Sequence, residues 1–339
     1  KLMNETAQMH VENLAEPLDI ISSWYGKPLQ TACLRKAWRS LFHNHAHDSI
    51  CGCSVDRVHR AVNERFLQTV EFATDTADYA LDYLNNGNRK VHTPAAIVYA
   101  GLNAGNRVVD FVIRRETEPA GAECLVDSAG TRHPVQINTA QPLHVQHTNG
   151  NDRYIECRAN VYCPDLAPAE VRTLYWCDDS PAPLPANAVS CTDRSITNGI
   201  ITVEFNDDGT INLYDLRTGY AVQQTHYLVQ ETDVGGGYHF QALPGSKRRT
   251  TRTEQASVKL ITAGPLRSEI QVKTRLRVPR MYDRAHKRLA GRTTVEVRSV
   301  FTLEADSDSL KVKTSIHNTA NNQRIRLVLP SGLTSRTVA

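Results

Sequence analysis

An α+β multidomain fold, helical at the start and antiparallel β thereafter, is predicted by three observations on the 339-residue sequence. Apolar residues recur at three- and four-residue spacing through residues 1–86 and at two-residue spacing from about Val91 onward. Gly, Pro, Asn and Asp clusters punctuate the second region and are sparse in the first. The length exceeds one average domain, so two or three units, each closing its own core, are expected.

Within residues 1–86 the spacing predicts a three-helix bundle. Val11, Leu14, Leu18 and Ile21 form the first stripe, with Pro17 either kinking that helix or marking its true first turn. After the break at Gly26-Lys27-Pro28, Pro28 suits the first turn of a second helix whose stripe is Leu34, Ala37, Trp38, Leu41 and His45. Gly52 interrupts that helix and Ser54 is the expected N-cap of the third. The third places Val55, Val58, Val62, Phe66, Val70, Ala73, Ala77 and Leu81 on one face and ends near Asn85-Asn86-Gly87-Asn88.

The remainder reads as antiparallel sandwiches. Ile201, Val203 and Phe205 alternate, Asp207-Asp208-Gly209 supplies a turn, and Ile211 and Leu213 alternate back, which is a hairpin pattern. Val295 and Val297, then Leu310, Val312 and Ile316, continue the alternation. The run Pro181-Ala182-Pro183-Leu184-Pro185 is the expected linker, giving a small β-sandwich at 91–180 and a larger one at 187–339.

Composition excludes some classes of function. Hydrophobic residues make up 40% and charged residues 22%, and a net charge of +3 gives no nucleic-acid footprint. No apolar run is long enough for a membrane helix, and the opening residues lack the layout of an export signal. A soluble, cytoplasmic protein with reduced thiols is expected, since the eight cysteines show no framework.

The most unusual stretch is Phe42-His43-Asn44-His45-Ala46-His47-Asp48-Ser49-Ile50. Its residues read equally as a polar helix end, where imidazoles meet the dipole favourably, or as part of a metal site. If the second helix continues through it, His45 joins the core stripe, while His47 falls on the face of Ser40 and His43, away from the core. His43 and His47 then have the spacing by which one helix presents two ligands. Catalytic zinc needs about three protein ligands and an open position, so the others must come from elsewhere. Cys51-Gly52-Cys53 is one residue short of a zinc-knuckle gap, and buried or idle thiols are expected there.

Three blocks carry a resemblance. Ala37-Trp38-Arg39-Ser40-Leu41, Asn44 through Ile50 and Gly52 through Arg60 together resemble the helical segment of glycoside hydrolase family 38 α-mannosidases, closest to the bacterial branch that includes mannosylglycerate hydrolases. Asn198 through Phe205 with Asp208-Gly209-Thr210 is similar to the opening hairpin of that family's large sandwich, and Asn318 and Arg324 through Pro330 to a later strand pair. The resemblance implies a zinc ion with His47 as one ligand and Asp48 in contact with the sugar. Gly235-Gly236-Gly237-Tyr238-His239-Phe240 resembles the surroundings of a further substrate-binding tyrosine, which makes Tyr238 a candidate beside the equal reading of an ordinary loop residue.

In that family the nucleophile, the acid and the other zinc ligands lie on a β/α barrel for which this sequence has no counterpart. The chain alone is therefore expected to be inactive, and no catalytic residue is assigned within it. An α-mannoside substrate, no nucleic-acid or membrane partner, and assembly into a homo-oligomer complete what is expected. Two other classes compete: a non-catalytic carbohydrate-binding or assembly module, and a metal-binding regulator built around Cys51 and Cys53.

Overall fold

The computed structural model describes residues 2–86, 96–99, 101, 104–115, 123–147, 150–177, 182–236 and 239–332. The chain is a mixed helix and sheet protein with several antiparallel sheets, and its contacts divide it into two compact units. The first comprises residues 1–106, 124–133 and 164–180; the second comprises 107–123, 134–163 and 181–339.

The helical part of the first unit departs from the three expected helices. Helix α1 (Leu2–Met9) runs into a π-helical segment (His10–Ala15) and then α2 (Glu16–Trp24). These are followed by α3 (Thr31–Asn44), the short α4 (His47–Cys51) and the long α5 (Asp56–Asn86). Pro17 sits in the first turn of α2, where a missing N–H does no harm. Just before it, the Glu16 N–H reaches back five residues to the Val11 carbonyl.

Pro28 lies outside α3. The backbone N–H of Gln30 is taken by the Asp19 carboxylate, at 3.1 and 2.9 Å, which delays the helix to Thr31. That carboxylate also meets the Lys27 ammonium at 2.5 Å with both side chains fully buried. Ser54 is not the N-cap of α5 either. Its hydroxyl donates to the Asp48 carbonyl, while the Val55 carbonyl accepts the first N–H bonds of the helix, from Val58 and His59.

Three apolar clusters run along the helices: Ala7, Leu41, Val62 and Phe66, then Val11, Ala15, Ala37 and Ala73, then Leu18, Ala77 and Ala80. The stripe read for the third helix is the buried face of α5 except at Val55, which is 70% exposed. In the same unit strand Val171–Cys177 pairs antiparallel with Ala96–Tyr99 on one side and Glu123–Asp127 on the other.

In the second unit a five-stranded sheet follows chain order through Ser190–Cys191, Ser195–Thr197, Ile201–Phe205, Ile211–Asp215 and Ala221–Thr225. A four-stranded sheet does the same through Ser257–Thr262, Arg267–Val278, Thr293–Glu304 and Lys311–His317. One core joins the two: Ile196, Val203, Phe205 and Ile211 from the first pack with Ile270, Val272, Phe301 and Leu303 from the second. The predicted hairpin is present, with Phe205 opposite Ile211 and the turn closed by Asn206 and Thr210. Gly209 in that turn has φ +81, and a Cβ there would lie 2.5 Å from Thr274, so only glycine fits.

Val312 and Ile316 lie on the expected strand, but it is the outer strand of its sheet and both side chains are about 40% exposed. A third sheet, Arg249–Thr250, Tyr227–Thr232 and Gln323–Val328, closes over Leu228, Leu276, Val278, Val295 and Val297. Residues 135–147 pair antiparallel with 150–161, and Gln136 ties this hairpin to the sandwich. Its side-chain oxygen accepts the N–H groups of Leu266 and Arg267, and its amide nitrogen donates to the Arg267 carbonyl, all at 2.9 Å.

His226 gives this unit a pH dependence. Its ring is buried edge-on to Phe301, 4.8 Å between centroids, with Nε2 3.1 Å from the Thr314 hydroxyl. Burial holds the imidazole pKa below the ordinary value, so the folded chain keeps it neutral. Below about pH 6.5 the unfolded chain takes up a proton that the folded chain refuses, so stability falls as pH drops through that range. The denaturation midpoint of the sheet signal is expected to decline from pH 7 to 5 and to do so less in His226→Asn, which also tolerates the positive φ of +63 at this position. Equal slopes in both proteins would remove the assignment.

Candidate functional site

Asn44 determines the geometry of the histidine-rich segment. Fully buried at the end of α3, its amide donates to the Val62 carbonyl at 2.9 Å and its oxygen accepts from Arg65 at 3.3 Å. The helix stops there: the His45 N–H bonds back only three residues, to Phe42, and Ala46 turns extended at ψ 130. His47 then opens α4, whose first N–H bonds, from Ser49 and Ile50, go to the Ala46 carbonyl. Gly52 ends α4 at φ +75, and the Cys53 N–H returns to the Asp48 carbonyl at 3.1 Å.

This overturns the helical-phase argument in two respects. His43 and His47 lie on different helices and do not form a four-residue ligand pair on one face. His45 is exposed and bonded through Nε2 to Asn4 Oδ1 at 2.8 Å; Asn44 is the buried polar residue. His47 and Asp48 nevertheless project into solvent together, 90% and 67% exposed, with Nε2 3.3 Å from Oδ1.

An exposed neutral imidazole is a suitable zinc donor, but the donors here are too few. Among the described residues no group of three or more His, Cys, Asp or Glu side chains could hold a metal, and Cys51 and Cys53 are exposed free thiols. A complete zinc site is not formed by these residues, so no chemical step can be derived through a metal here.

Tyr238 lies outside the described residues. The base of its segment is ordered by Asp233, whose Oδ1 accepts the N–H groups of Gly235 at 2.9 Å and Gln241 at 3.1 Å. Those two bonds hold the Asp233 carboxyl below the usual carboxylate range. A Cβ on Gly235 would come within 2.0 Å of the His239 carbonyl oxygen, which explains the glycine.

One charged centre escaped the sequence reading. The nearly buried Glu231 carboxylate binds Arg248 at 2.8 Å, Arg324 at 2.6 Å and Arg326 at 2.7 Å, and the bond to Arg324, with the other two cations, keeps it ionised below the usual range. Two of its partners lie more than ninety residues away in sequence, so no local pattern announces it.

Solved structures share this fold. The fold is that of a protein in the glycosyl hydrolase family 38 from Enterococcus faecalis, with a TM-score of 0.80 and 19% identity over 99% of this chain and 46% of that one. An alpha-mannosidase from the same species is similar at TM-score 0.76 and 20% identity, over 98% of this chain and 42% of that one. At those identities the likeness is one of fold.

The similarity extends to sequence. Residues 196–338 match the Glycosyl hydrolases family 38 C-terminal domain. The curated "Putative mannosylglycerate hydrolase" of Halalkalibacterium halodurans is 25% identical across 97% of this chain and 42% of its own length. The chain is thus similar to family 38 glycosyl hydrolases, and through residues 196–338 to their C-terminal domain, and it spans less than half the length of the relatives it matches. No described helix is long and apolar enough to cross a membrane.

Proposed function

We propose that the chain is the helical and sandwich portion of a cytoplasmic, zinc-dependent, retaining α-mannosidase that hydrolyses terminal α-mannosyl linkages, in mannosylglycerate or in mannosyl oligosaccharides. In this reading residues 1–86 form the helical bundle, 91–180 a small β domain and 187–339 part of the large sandwich. His47 lends its imidazole to a zinc ion whose other ligands lie on a barrel outside this chain. Asp48 contacts the sugar, and Tyr238 reaches it from the sandwich. The two carboxylates of retaining hydrolysis belong to that barrel.

The observation that carries the proposal is the exposed His47 and Asp48 pair on a short helix pinned at both ends. The printed name of the curated relative supports the substrate class.

A carbohydrate-binding module without catalysis is the second reading. It is favoured by a cleft of about 870 Å³ within the first unit, lined by Tyr25, Tyr83 and Tyr175 together with Asp127, Glu170 and Arg172. Aromatic faces beside planar polar groups suit a sugar ring.

Zinc content and nitrophenol release from an aryl α-mannoside decide between the two. They should be measured on this chain, and on the protein extended through any coding sequence that precedes it, with a chelator control. Activity confined to the extended, zinc-loaded protein and reduced to below about a tenth by His47→Ala is expected. Activity in the short chain would contradict the proposal. Saturable mannoside binding without hydrolysis in either protein would favour the module.

A further inference from the structure

The second unit contains a cleft of about 760 Å³ whose lining charges are unbalanced. Lys247, Arg248, Arg249, Arg277 and Arg292 line it, with Glu254 the one carboxylate among its lining residues. That surplus exceeds the +3 of the whole chain, so positive charge is concentrated here rather than spread over the surface. Glu254 engages Arg277 at 3.6 Å, and Arg248 shares Glu231 with two other arginines. Lys247, Arg249 and Arg292 have no ion-pair partner among the described residues.

The chemistry of the rest of the cleft is specific. Hydroxyl groups of Thr250 and Thr294 add donors, those of Thr253 and Thr293 being engaged with the Thr250 carbonyl and Thr319, and the 38% exposed Leu289 adds apolar surface. Guanidinium forks and hydroxyls match the oxygens of a tetrahedral oxyanion, which can accept paired N–H bonds from each arginine. The apolar surface of Leu289 beside them suits the carbon skeleton that carries such a group. We infer that this cleft binds a phosphate group, either free or as the ester of a small polyhydroxy compound. The inference stands on the second unit alone and does not depend on the proposed hydrolysis.

Titration calorimetry of the 339-residue chain with inorganic phosphate, a hexose 6-phosphate and the neutral hexose tests it. Saturable binding of both phosphates, weakened by added salt and absent for the neutral hexose, is expected. Arg249→Gln combined with Arg292→Gln should weaken that binding about tenfold or more, because each lost charged hydrogen bond costs a factor of that order. Arg275→Gln, at a 72% exposed arginine that does not line the cleft, should leave it unchanged. Tighter binding of the ester assigns the sugar body to the apolar surface at Leu289; equal binding assigns free phosphate. Absence of binding at about 10 mM ligand, a range typical of the weakest specific sites, overturns the inference. So does an equal loss in the Arg275 variant, or unchanged affinity in the double variant with its melting transition intact.

Discussion

Asp19→Ala is expected to destabilise the helical region by about 3–5 kcal/mol, the usual cost of removing one partner from a buried ion pair. With the carboxylate gone, the Lys27 ammonium stays enclosed, with the Pro28 carbonyl at 3.3 Å and the Tyr79 ring at 4.9 Å as its recorded company. The Gln30 N–H loses its acceptor in the same step. Replacing both charged residues, Asp19→Leu with Lys27→Met, removes the stranded charge and should recover most of the loss, because apolar pairs of similar volume often match buried ion pairs. Urea unfolding followed by helical dichroism reads both variants, and following that signal avoids assuming one transition for two units. A single variant within about 1 kcal/mol of the parent would show that water reaches Lys27 in solution.

Phe301→Ala should cost the sandwich about 3–5 kcal/mol. The side chain is fully buried between the two sheets, with Phe205 edge-on at 5.1 Å and His226 edge-on at 4.8 Å. Truncation removes contacts to both rings and leaves a cavity in the cluster that joins the sheets, which cannot close without moving Ile270 and Leu303. Thermal melting read at a sheet wavelength should show the loss, while the helical transition stays where it was. A loss shared equally by both signals would mean that the two units unfold as one, and would refute the assignment of this residue to a single core.

Elements whose cause is local were legible in sequence. The α5 stripe and the hairpin at residues 201–215 follow from spacing and turn residues a few positions apart. Features decided by distant partners were not. Asn44 ends α3 by bonding to Val62, eighteen residues on, and nothing in the sequence around Asn44 distinguishes that outcome from a helix running through His47. Pro28 looked like a helix start until Asp19 claimed the Gln30 N–H. The same holds for the sites. Residues 42–50 stood out as a dense local pattern, whereas the basic cleft gathers residues scattered between Lys247 and Thr294 across several strands.

The π-helical segment matters for how this chain is compared with others. A turn closed from Val11 to Glu16 takes in one residue more than an α-helical turn, yet the buried positions continue through it as Ala7, Val11, Ala15 and Leu18. These positions keep the three- and four-residue spacing of an ordinary helix, so the wider turn between His10 and Ala15 leaves the inward face in register. A relative with an uninterrupted first helix is therefore expected to keep the same inward positions through this segment without a gap.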